Sequence, residues 1–292
     1  MPELPEVEAL ARYLTAQVQG TTITRVEVGA LSALKTFEPP IDSLQGRTLG
    51  GVSRRGKYLC ILTCDPRGEA ERWLVVHLSR AGWVQWRTTV PAARTKPGRG
   101  PLALRVGLSS GAGFDITEQG TEKRLALWVV DDPNSVQGVA RLGPDPLGEG
   151  FDALTLATAL GGRPGNLKSV LTDQSVIAGV GNAYSDEALH RARMSPFKPA
   201  GKLTPEEIDR LYRALTGVLA DASARSTGLP AKGLKDEKRS GMAVHGRTGE
   251  VCPVCGDTVR QVSFATKALQ YCPTCQTGGK PLADRRLSRL LK

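Results

Sequence analysis

The first twenty residues carry hydrophobic side chains at the spacing of an α-helix. Five of them fall on one face, namely Leu4, Val7, Leu10, Leu14 and Val18. Pro5 suits the first turn of a helix, and Gly20 suits its end. The pattern therefore predicts an opening helix that is buried along one side.

After this helix the pattern changes to short apolar runs separated by glycine and proline. Each run fits a β-strand, and the runs cover residues 24–28, 57–63, 72–78, 82–86, 102–108 and 124–130. The basic, proline-rich segment 91–101 is typical of a solvated hairpin connection. A succession of short strands predicts an antiparallel β-sandwich or barrel.

From Asp152 onward the helical spacing returns. Residues 154–160 and 166–173 each fit a helix, and helical stretches flank a glycine turn at 178–182. Backbone amides at such a turn, with a helix starting behind it, can bind an anion. The second half of the chain is therefore predicted to be helical.

One long helix and one long loop follow. The helix is predicted over 202–222, because Thr204 and Glu207 form a capping box ahead of a buried apolar stripe. Residues 223–248 are polar, glycine-rich and basic, which is typical of a loop that is either functional or disordered.

Four cysteines near the carboxyl end form two C-x-x-C pairs. They are Cys252, Cys255, Cys272 and Cys275. Thiolates at this spacing hold one zinc ion tetrahedrally, and four thiolates close the site, so Zn²⁺ is expected to be structural rather than catalytic. The alternative is an adventitious redox pair. The residues between the pairs predict strands at 259–265 and 268–271 around a tip at Thr266–Lys267.

The charge balance adds a class of partner. The chain has 292 residues, a formal net charge of +10 and a pI near 9.5. Such a balance favours a polyanion through counterion release and steering. The longest strongly apolar run, 125–130, is far shorter than a membrane span, and no signal peptide is evident. We therefore expect a cytoplasmic, nucleoid-associated protein without a membrane partner.

The amino terminus carries candidate covalent chemistry. Removal of Met1 would expose Pro2 as a secondary amine, with Glu3 and Glu6 close by in sequence. The positive end of the helix disfavours the ammonium form, and a neutral amine can attack a sugar carbon to give an iminium. The alternative is a plain helix start, in which proline and glutamate are both favoured.

The segment MPELPEVE resembles the amino-terminal signature of the formamidopyrimidine-DNA glycosylase and endonuclease VIII family, and other segments along the chain resemble the same family. The resemblance implies a base-excision-repair DNA glycosylase with AP lyase activity. Pro2 would attack C1′ of an everted nucleotide, Glu3 would protonate the opening sugar ring, and Glu6 would contact the DNA. Damaged DNA is the implied partner of a monomer without a small-molecule cofactor.

Two segments of the first half match family motifs. SRRGKYL resembles the internal lysine motif, which implies that Lys57 is catalytic or contacts phosphate. HLSRAGW resembles a His-Leu-x-Met-x-Gly element, in which His77 matches and Arg80 replaces the methionine that fills the gap left by the nucleotide. For His77 a structural role is the alternative. Arg80 can still stack on a base.

Two segments of the second half also match. The string DQSVIAGVGNAYSDEAL resembles the family's helix–two-turn–helix, in which Asn182 matches the phosphate-binding asparagine. The zinc hairpin of the family bears an arginine at its tip, and Lys267 occupies that place, with Arg260 as a substitute donor. In purine-directed relatives a loop corresponding to 223–248 closes over the everted base.

The resulting prediction is an α+β fold: an amino-terminal antiparallel β-sandwich with the catalytic helix, then a helix–two-turn–helix domain with a zinc-ribbon hairpin. The predicted segments are a catalytic domain at 1–145, the helical DNA-binding domain at 150–245, a zinc finger at 249–278 and a basic tail at 279–292.

The sequence also departs from the family. Asp131–Gly138 reads DDPNSVQG, where purine-specific members carry Asp-Pro-Arg-Arg-Phe-Gly, so the opposite base and the lesion stay open. These departures motivate one alternative, a non-catalytic protein that binds damaged or structured DNA on the same scaffold. A zinc-ribbon module of a transcription or replication assembly is a further alternative, which leaves MPELPEVE unexplained.

Overall fold

The computed structural model describes residues 1–68, 70–98, 100–263 and 268–283. Its contacts divide the chain into two compact units. The first consists of Met1–Arg141 and Ser226–Lys235, and the second of the described residues in Leu142–Arg225 and Asp236–Lys292. A segment from the carboxyl-terminal half thus belongs to the first unit.

The first unit opens with helix α1, Leu4–Val18, whose predicted apolar face is buried. Eight strands follow: β1 Ile23–Val28, β2 Thr48–Arg55, β3 Tyr58–Cys64, β4 Glu71–His77, β5 Gly82–Arg87, β6 Leu102–Leu108, β7 Gly113–Glu118 and β8 Ala126–Val130. A short helix, α2, covers Gln137–Ala140.

The eight strands form two four-stranded antiparallel sheets, in the orders β1-β6-β7-β5 and β2-β3-β4-β8. One hydrophobic core joins residues of both sheets with the buried face of α1. The predicted antiparallel sandwich is therefore confirmed. The sequence-based prediction missed β2 and β7.

The second unit is helical with a small hairpin. Its helices are α3 Ala153–Leu160, α4 Leu167–Leu171, α5 Asn182–Arg191, α6 Pro205–Ser226, α7 Leu234–Ser240 and α8 Pro273–Thr277, the ends of α6 and α7 reaching into the first unit. Strands β9, Arg260–Ser263, and β10, Ala268–Tyr271, pair antiparallel.

The predicted loop 223–248 is wrong over two stretches. Helix α6 continues to Ser226, and α7 occupies Leu234–Ser240. Between them the chain packs into the first unit: Ala231 and Leu234 belong to its hydrophobic core, and the indole nitrogen of Trp83 donates to the Ala231 carbonyl at 3.0 Å. We call residues 226–235 the docked segment.

Candidate catalytic and zinc sites

The amino-terminal residues form a buried cluster at the start of α1. Pro2 is buried, Glu3 and Glu6 are each 2% exposed, and Met1 is largely accessible. A Glu6 carboxylate oxygen accepts a hydrogen bond from the Glu3 backbone N–H at 2.8 Å. This bond fixes the backbone directly after Pro2, so the proline and two carboxylates lie together at the start of one helix.

Helix α1 is tied to the strand that leads to Lys57. Arg54 in β2 lies 3.0 Å from a carboxylate oxygen of Glu8, and the Thr15 hydroxyl donates to the Val52 carbonyl at 3.0 Å. These contacts hold β2 against helix α1.

Lys57 lies in the tight turn between β2 and β3. Gly56 adopts a φ of +55°, which suits the two-residue turn of a hairpin, and Arg55 pairs with Tyr58 across it. Lys57 is buried although it is a lysine in a turn. Its ammonium group is therefore held within the protein rather than spread over the surface.

His77 at the end of β4 lies beside this turn. Its ring centroid is 4.8 Å from that of Tyr58, its partner in the β3–β4 register. Burial, together with the charge of Lys57, lowers the pKa of His77 from 6.5 to about 4. The structure therefore brings Lys57 and a neutral imidazole together.

Arg80 stands in the turn that follows. Ser79 adopts a φ of +53°, and the Gly82 N–H donates to the Leu78 carbonyl at 2.8 Å. A Cβ at position 82 would meet that carbonyl oxygen at 2.0 Å, so only glycine fits there. The turn presents Arg80 as an exposed side chain.

The stretch that departs from the family forms a short 3-10 turn at Pro133–Ser135. Asn134 accepts a hydrogen bond from Arg55 at 2.6 Å, and Val136 is buried in the protein. Val136 therefore packs inside the protein and is not exposed as an apolar side chain that could enter the DNA stack.

In the second unit, Asn182 is the first residue of α5. Its carboxamide nitrogen donates to the Ala268 carbonyl at 2.7 Å, and Gln174 braces the preceding turn through Gly179 and Val180. A carboxamide nitrogen carries two hydrogens, so this contact and a phosphate contact are compatible.

Buried ionic contacts connect α5 with the hairpin. The Asp186 carboxylate accepts from Lys168 at 2.5 Å and from the Gln270 backbone at 3.2 Å, and it lies 2.7 Å from Nδ1 of His245. Glu187 accepts the backbone N–H groups of residues 243–245, and burial raises the pKa of its carboxyl group. Sequence reasoning gave no role to Lys168, Asp186 or His245.

The predicted zinc cysteines converge. The sulfurs of Cys255 and Cys272 are 3.3 Å apart, and those of Cys252 and Cys275 are 3.9 Å apart. Sulfurs bound to one tetrahedral zinc ion at ~2.3 Å are about 3.8 Å from one another, so the donor set fits zinc. Two basic hairpin residues were predicted to contact DNA. Arg260 is exposed in β9, and Lys267 lies outside the described residues.

His190 was missed by the sequence analysis. It is 4% exposed in the last turn of α5, and its Nε2 lies 3.3 Å from the sulfur of Cys252. It shares a group of close donor atoms with Cys252, Cys272 and Cys275. A histidine distant in sequence from the C-x-x-C pairs gives no spacing signal that could have indicated this.

Three sequence profiles match the chain. They describe the formamidopyrimidine-DNA glycosylase N-terminal domain over residues 1–119, the H2TH domain of the same enzyme over 142–230, and the zinc finger found in FPG and IleRS over 249–278.

Whole-chain relatives agree with the profiles. A formamidopyrimidine-DNA glycosylase of Pelotomaculum thermopropionicum is 35% identical, covering 94% of this chain and 99% of its own. The chain belongs to the formamidopyrimidine-DNA glycosylase family. An uncharacterised formamidopyrimidine-DNA glycosylase-like protein of Mycobacterium tuberculosis is 62% identical over 151 residues, which cover 52% of this chain and 94% of that protein.

A solved structure adds the ligand of a relative. The Lactococcus lactis Fpg in complex with DNA containing an abasic site is 27% identical, covers 94% of this chain and 99% of that one, and gives a TM-score of 0.81. Members of this family are DNA glycosylases with AP lyase activity, which confirms the predicted enzyme class and disfavours a non-catalytic scaffold. The zinc-finger match and the converging thiols confirm the predicted zinc.

The described helices give one further result. None of those in 1–68, 70–98, 100–263 and 268–283 is both long and apolar enough to cross a bilayer.

Proposed function

We propose that this member of the formamidopyrimidine-DNA glycosylase family excises damaged bases from DNA through its Pro2 amine and then cuts the strand. The observation that carries the proposal is the buried start of α1, where Glu6 fixes the Glu3 backbone next to Pro2. Glu3 and Glu6 form a reciprocal capping box at the start of α1, and this box holds two carboxylates, each 2% exposed, directly after Pro2.

The mechanism begins once Met1 is removed. The Pro2 nitrogen forms a bond to C1′ of the everted nucleotide, the bond from C1′ to the base breaks, and the base leaves with the proton that the Pro2 nitrogen gives up. The bond from C1′ to the ring oxygen then breaks as the nitrogen lone pair forms an iminium with C1′, and Glu3 gives a proton to that oxygen. Proximity within one helix turn supplies the orientation that such a step needs.

Strand cleavage follows from the iminium. The positive nitrogen acidifies the C2′ proton, and its removal expels the 3′ phosphate by β-elimination. A second, δ-elimination can expel the 5′ phosphate. Water then releases Pro2 from the sugar remnant.

The other predicted residues serve binding. Lys57 contacts a backbone phosphate or assists proton transfer. Glu6 fixes the backbone of Glu3 and contacts the DNA, and His77 lies beside Lys57 as a neutral group. Arg80 stacks in the gap that the everted nucleotide leaves, since a guanidinium can stack on a base.

The second unit supplies phosphate contacts in this proposal. Asn182 and Lys267 each contact a phosphate, and Arg260 is a further donor. Cys252, Cys255, Cys272 and Cys275 bind one structural zinc ion, which when present holds the hairpin folded and takes no part in the chemistry.

The test is trapping with borohydride, which reduces an iminium to a stable amine. Wild-type protein is incubated with duplex and single-stranded oligonucleotides that contain an abasic site or an oxidised base, and the covalent adduct is measured. The key variant carries one alanine inserted between Met1 and Pro2, because it converts the Pro2 nitrogen into an amide and keeps every side chain.

Two matched controls separate chemistry from folding. Pro5→Ala changes a proline in the first turn of the same helix and should keep the adduct. Glu3→Gln should lose base excision, whereas Glu8→Gln should keep it. Equal adduct yield from the alanine-insertion variant and wild type would remove Pro2 from the mechanism. DNA binding by wild type with neither adduct nor nicking would refute the enzyme proposal.

A further inference from the structure

The zinc-binding region contains one more donor group than a tetrahedral zinc ion needs. Four cysteines and His190 supply five candidate ligands, while structural zinc takes four. The mutually close set consists of His190 with Cys252, Cys272 and Cys275, all within 4.8 Å of one another. The surplus calls for a distinction among the five donors.

Exposure distinguishes them. Cys252 and Cys272 are buried and Cys275 is partly buried, whereas Cys255 is exposed to solvent. His190 is buried in the last turn of α5, so its ring is held in place by packing. The accessible thiol is therefore the one that solvent reagents reach first.

The distances suit a direct ligand role for His190. A nitrogen bound at ~2.0–2.1 Å and a sulfur bound at ~2.3 Å to one tetrahedral ion are about 3.6 Å apart. The Nε2 of His190 is 3.3 Å from the Cys252 sulfur, which is a few tenths of an ångström shorter than the distance expected for two ligands of one zinc ion.

We propose that His190 is a reserve zinc ligand, which takes the coordination position of Cys255 when that thiolate is absent. The zinc ion then has three sulfur ligands and one nitrogen ligand instead of four sulfur ligands. Both ligand sets occur in structural zinc sites. In this exchange the neutral imidazole binds through Nε2 and keeps its proton on Nδ1.

The first experiment removes Cys255 from the full-length chain. Cys255→Ala should still purify with about one zinc ion per chain, and Cys255→Ala/His190→Phe should lose most of it. Zinc transfer to a competing chelator should be at least ~10-fold faster in the double variant than in Cys255→Ala, by comparison with the 10–100-fold effects of zinc-site partners.

Cobalt substitution identifies the ligand directly. Co²⁺ in Cys255→Ala should show weaker thiolate charge-transfer absorption and d–d bands at higher energy than in wild type, and His190→Phe added to Cys255→Ala should abolish that spectrum. The control Cys255→Ala/His245→Gln removes a histidine that contacts Asp186 instead of a thiol and should leave the cobalt spectrum of Cys255→Ala unchanged.

A second measurement does not depend on the folding of a cysteine variant. One equivalent of iodoacetamide alkylates the exposed Cys255 sulfur of zinc-loaded protein, with loss of iodide, and mass spectrometry locates the adduct. Zinc should stay bound in wild type and be released in His190→Phe.

Two results would overturn the proposal. One is equal zinc loss from alkylated wild type and alkylated His190→Phe. The other is a Cys255→Ala cobalt spectrum that does not depend on His190, which would leave His190 as a hydrogen-bond donor to Cys252 only.

Discussion

The docked segment 226–235 gives the sharpest test of the fold, because it joins residues from the carboxyl-terminal half to the amino-terminal core. Leu234 is fully buried there, and Trp83 donates to the Ala231 carbonyl. The perturbations are Leu234→Ala, which removes the apolar anchor, and Trp83→Phe, which removes the hydrogen bond and keeps an aromatic ring.

The expected magnitudes follow from these two contacts. Truncation of a buried leucine to alanine costs about 2–5 kcal/mol, and loss of one hydrogen bond costs about 1 kcal/mol. If the cost falls on detachment of the segment, ~3 kcal/mol raises the detached population about 150-fold, and ~1 kcal/mol raises it about fivefold.

Limited trypsin digestion measures that population, since Lys232 and Lys235 lie within the segment. When opening and closing are fast relative to cleavage, the cleavage rate follows the equilibrium population of the open form. Leu31→Ala is the matched control, because it makes the same change at a leucine that is 65% exposed in the same unit.

A Leu234→Ala cleavage rate equal to that of Leu31→Ala would refute docking of the segment into the first unit. A rate increase at Leu234→Ala with none at Trp83→Phe would retain the apolar anchor and discard the hydrogen bond as a contributor.

Three further predictions concern pH, a buried carboxyl group and the metal. The pKa of His77 is lowered from 6.5 to about 4, so the stabilisation by the neutral His77 is fully present above pH 6.5 and is lost as the pH falls towards 4. The urea midpoint of His77→Gln should therefore depend less on pH between 6.5 and 4 than the midpoint of the wild type. Glu187→Gln places an amide donor near the backbone N–H groups of residues 243–245 and should cost about 1–3 kcal/mol, visible as faster hydrogen exchange of those three amides. Removal of zinc by a chelator should unfold residues 249–278 and leave the near-ultraviolet signal of the sandwich tryptophans, so loss of that signal would contradict an independent sandwich core.

The elements that the sequence predicted correctly are those with a strong local period. Helix α1 and strands such as β3 and β4 carry their own apolar pattern and bury it. Strand β2 carries no such pattern, because it contains two glycines and two arginines. It is a strand because it pairs with β3 from Thr48 to Arg55, which is information that a local window does not hold.

Strand β7 shows the same limit with buried charge. All of its residues are buried, including Asp115, although aspartate is a residue type that is mostly exposed in proteins. The carboxylate of Asp115 is 2.7 Å from Arg105 in β6 and 2.9 Å from Arg87 in β5. Arginines on both neighbouring strands make this burial tolerable, and neither partner can be read from GFDITE alone.

The candidate site divides in a different way. Pro2, Glu3 and the zinc cysteines were predicted from motifs, in which the spacing of the residues indicates the chemistry. The contacts that hold these residues in place came from elsewhere in the chain: Glu8 and Arg54 join α1 to β2, and His190 joins α5 to the thiols. Each of these partners is common in surface positions, so its residue type gives no warning.

The network around Asp186 shows how such supporting contacts join α5 to the hairpin. One buried carboxylate binds Lys168, His245 and the β10 backbone at Gln270. Asn182, one helix turn earlier, binds β10 at Ala268. Two side chains of α5 therefore bind successive parts of one hairpin strand, which joins the start of α5 to the hairpin. If Asn182 binds a DNA phosphate as proposed, a change that shortens Asp186 should weaken DNA binding although Asp186 itself does not contact the DNA.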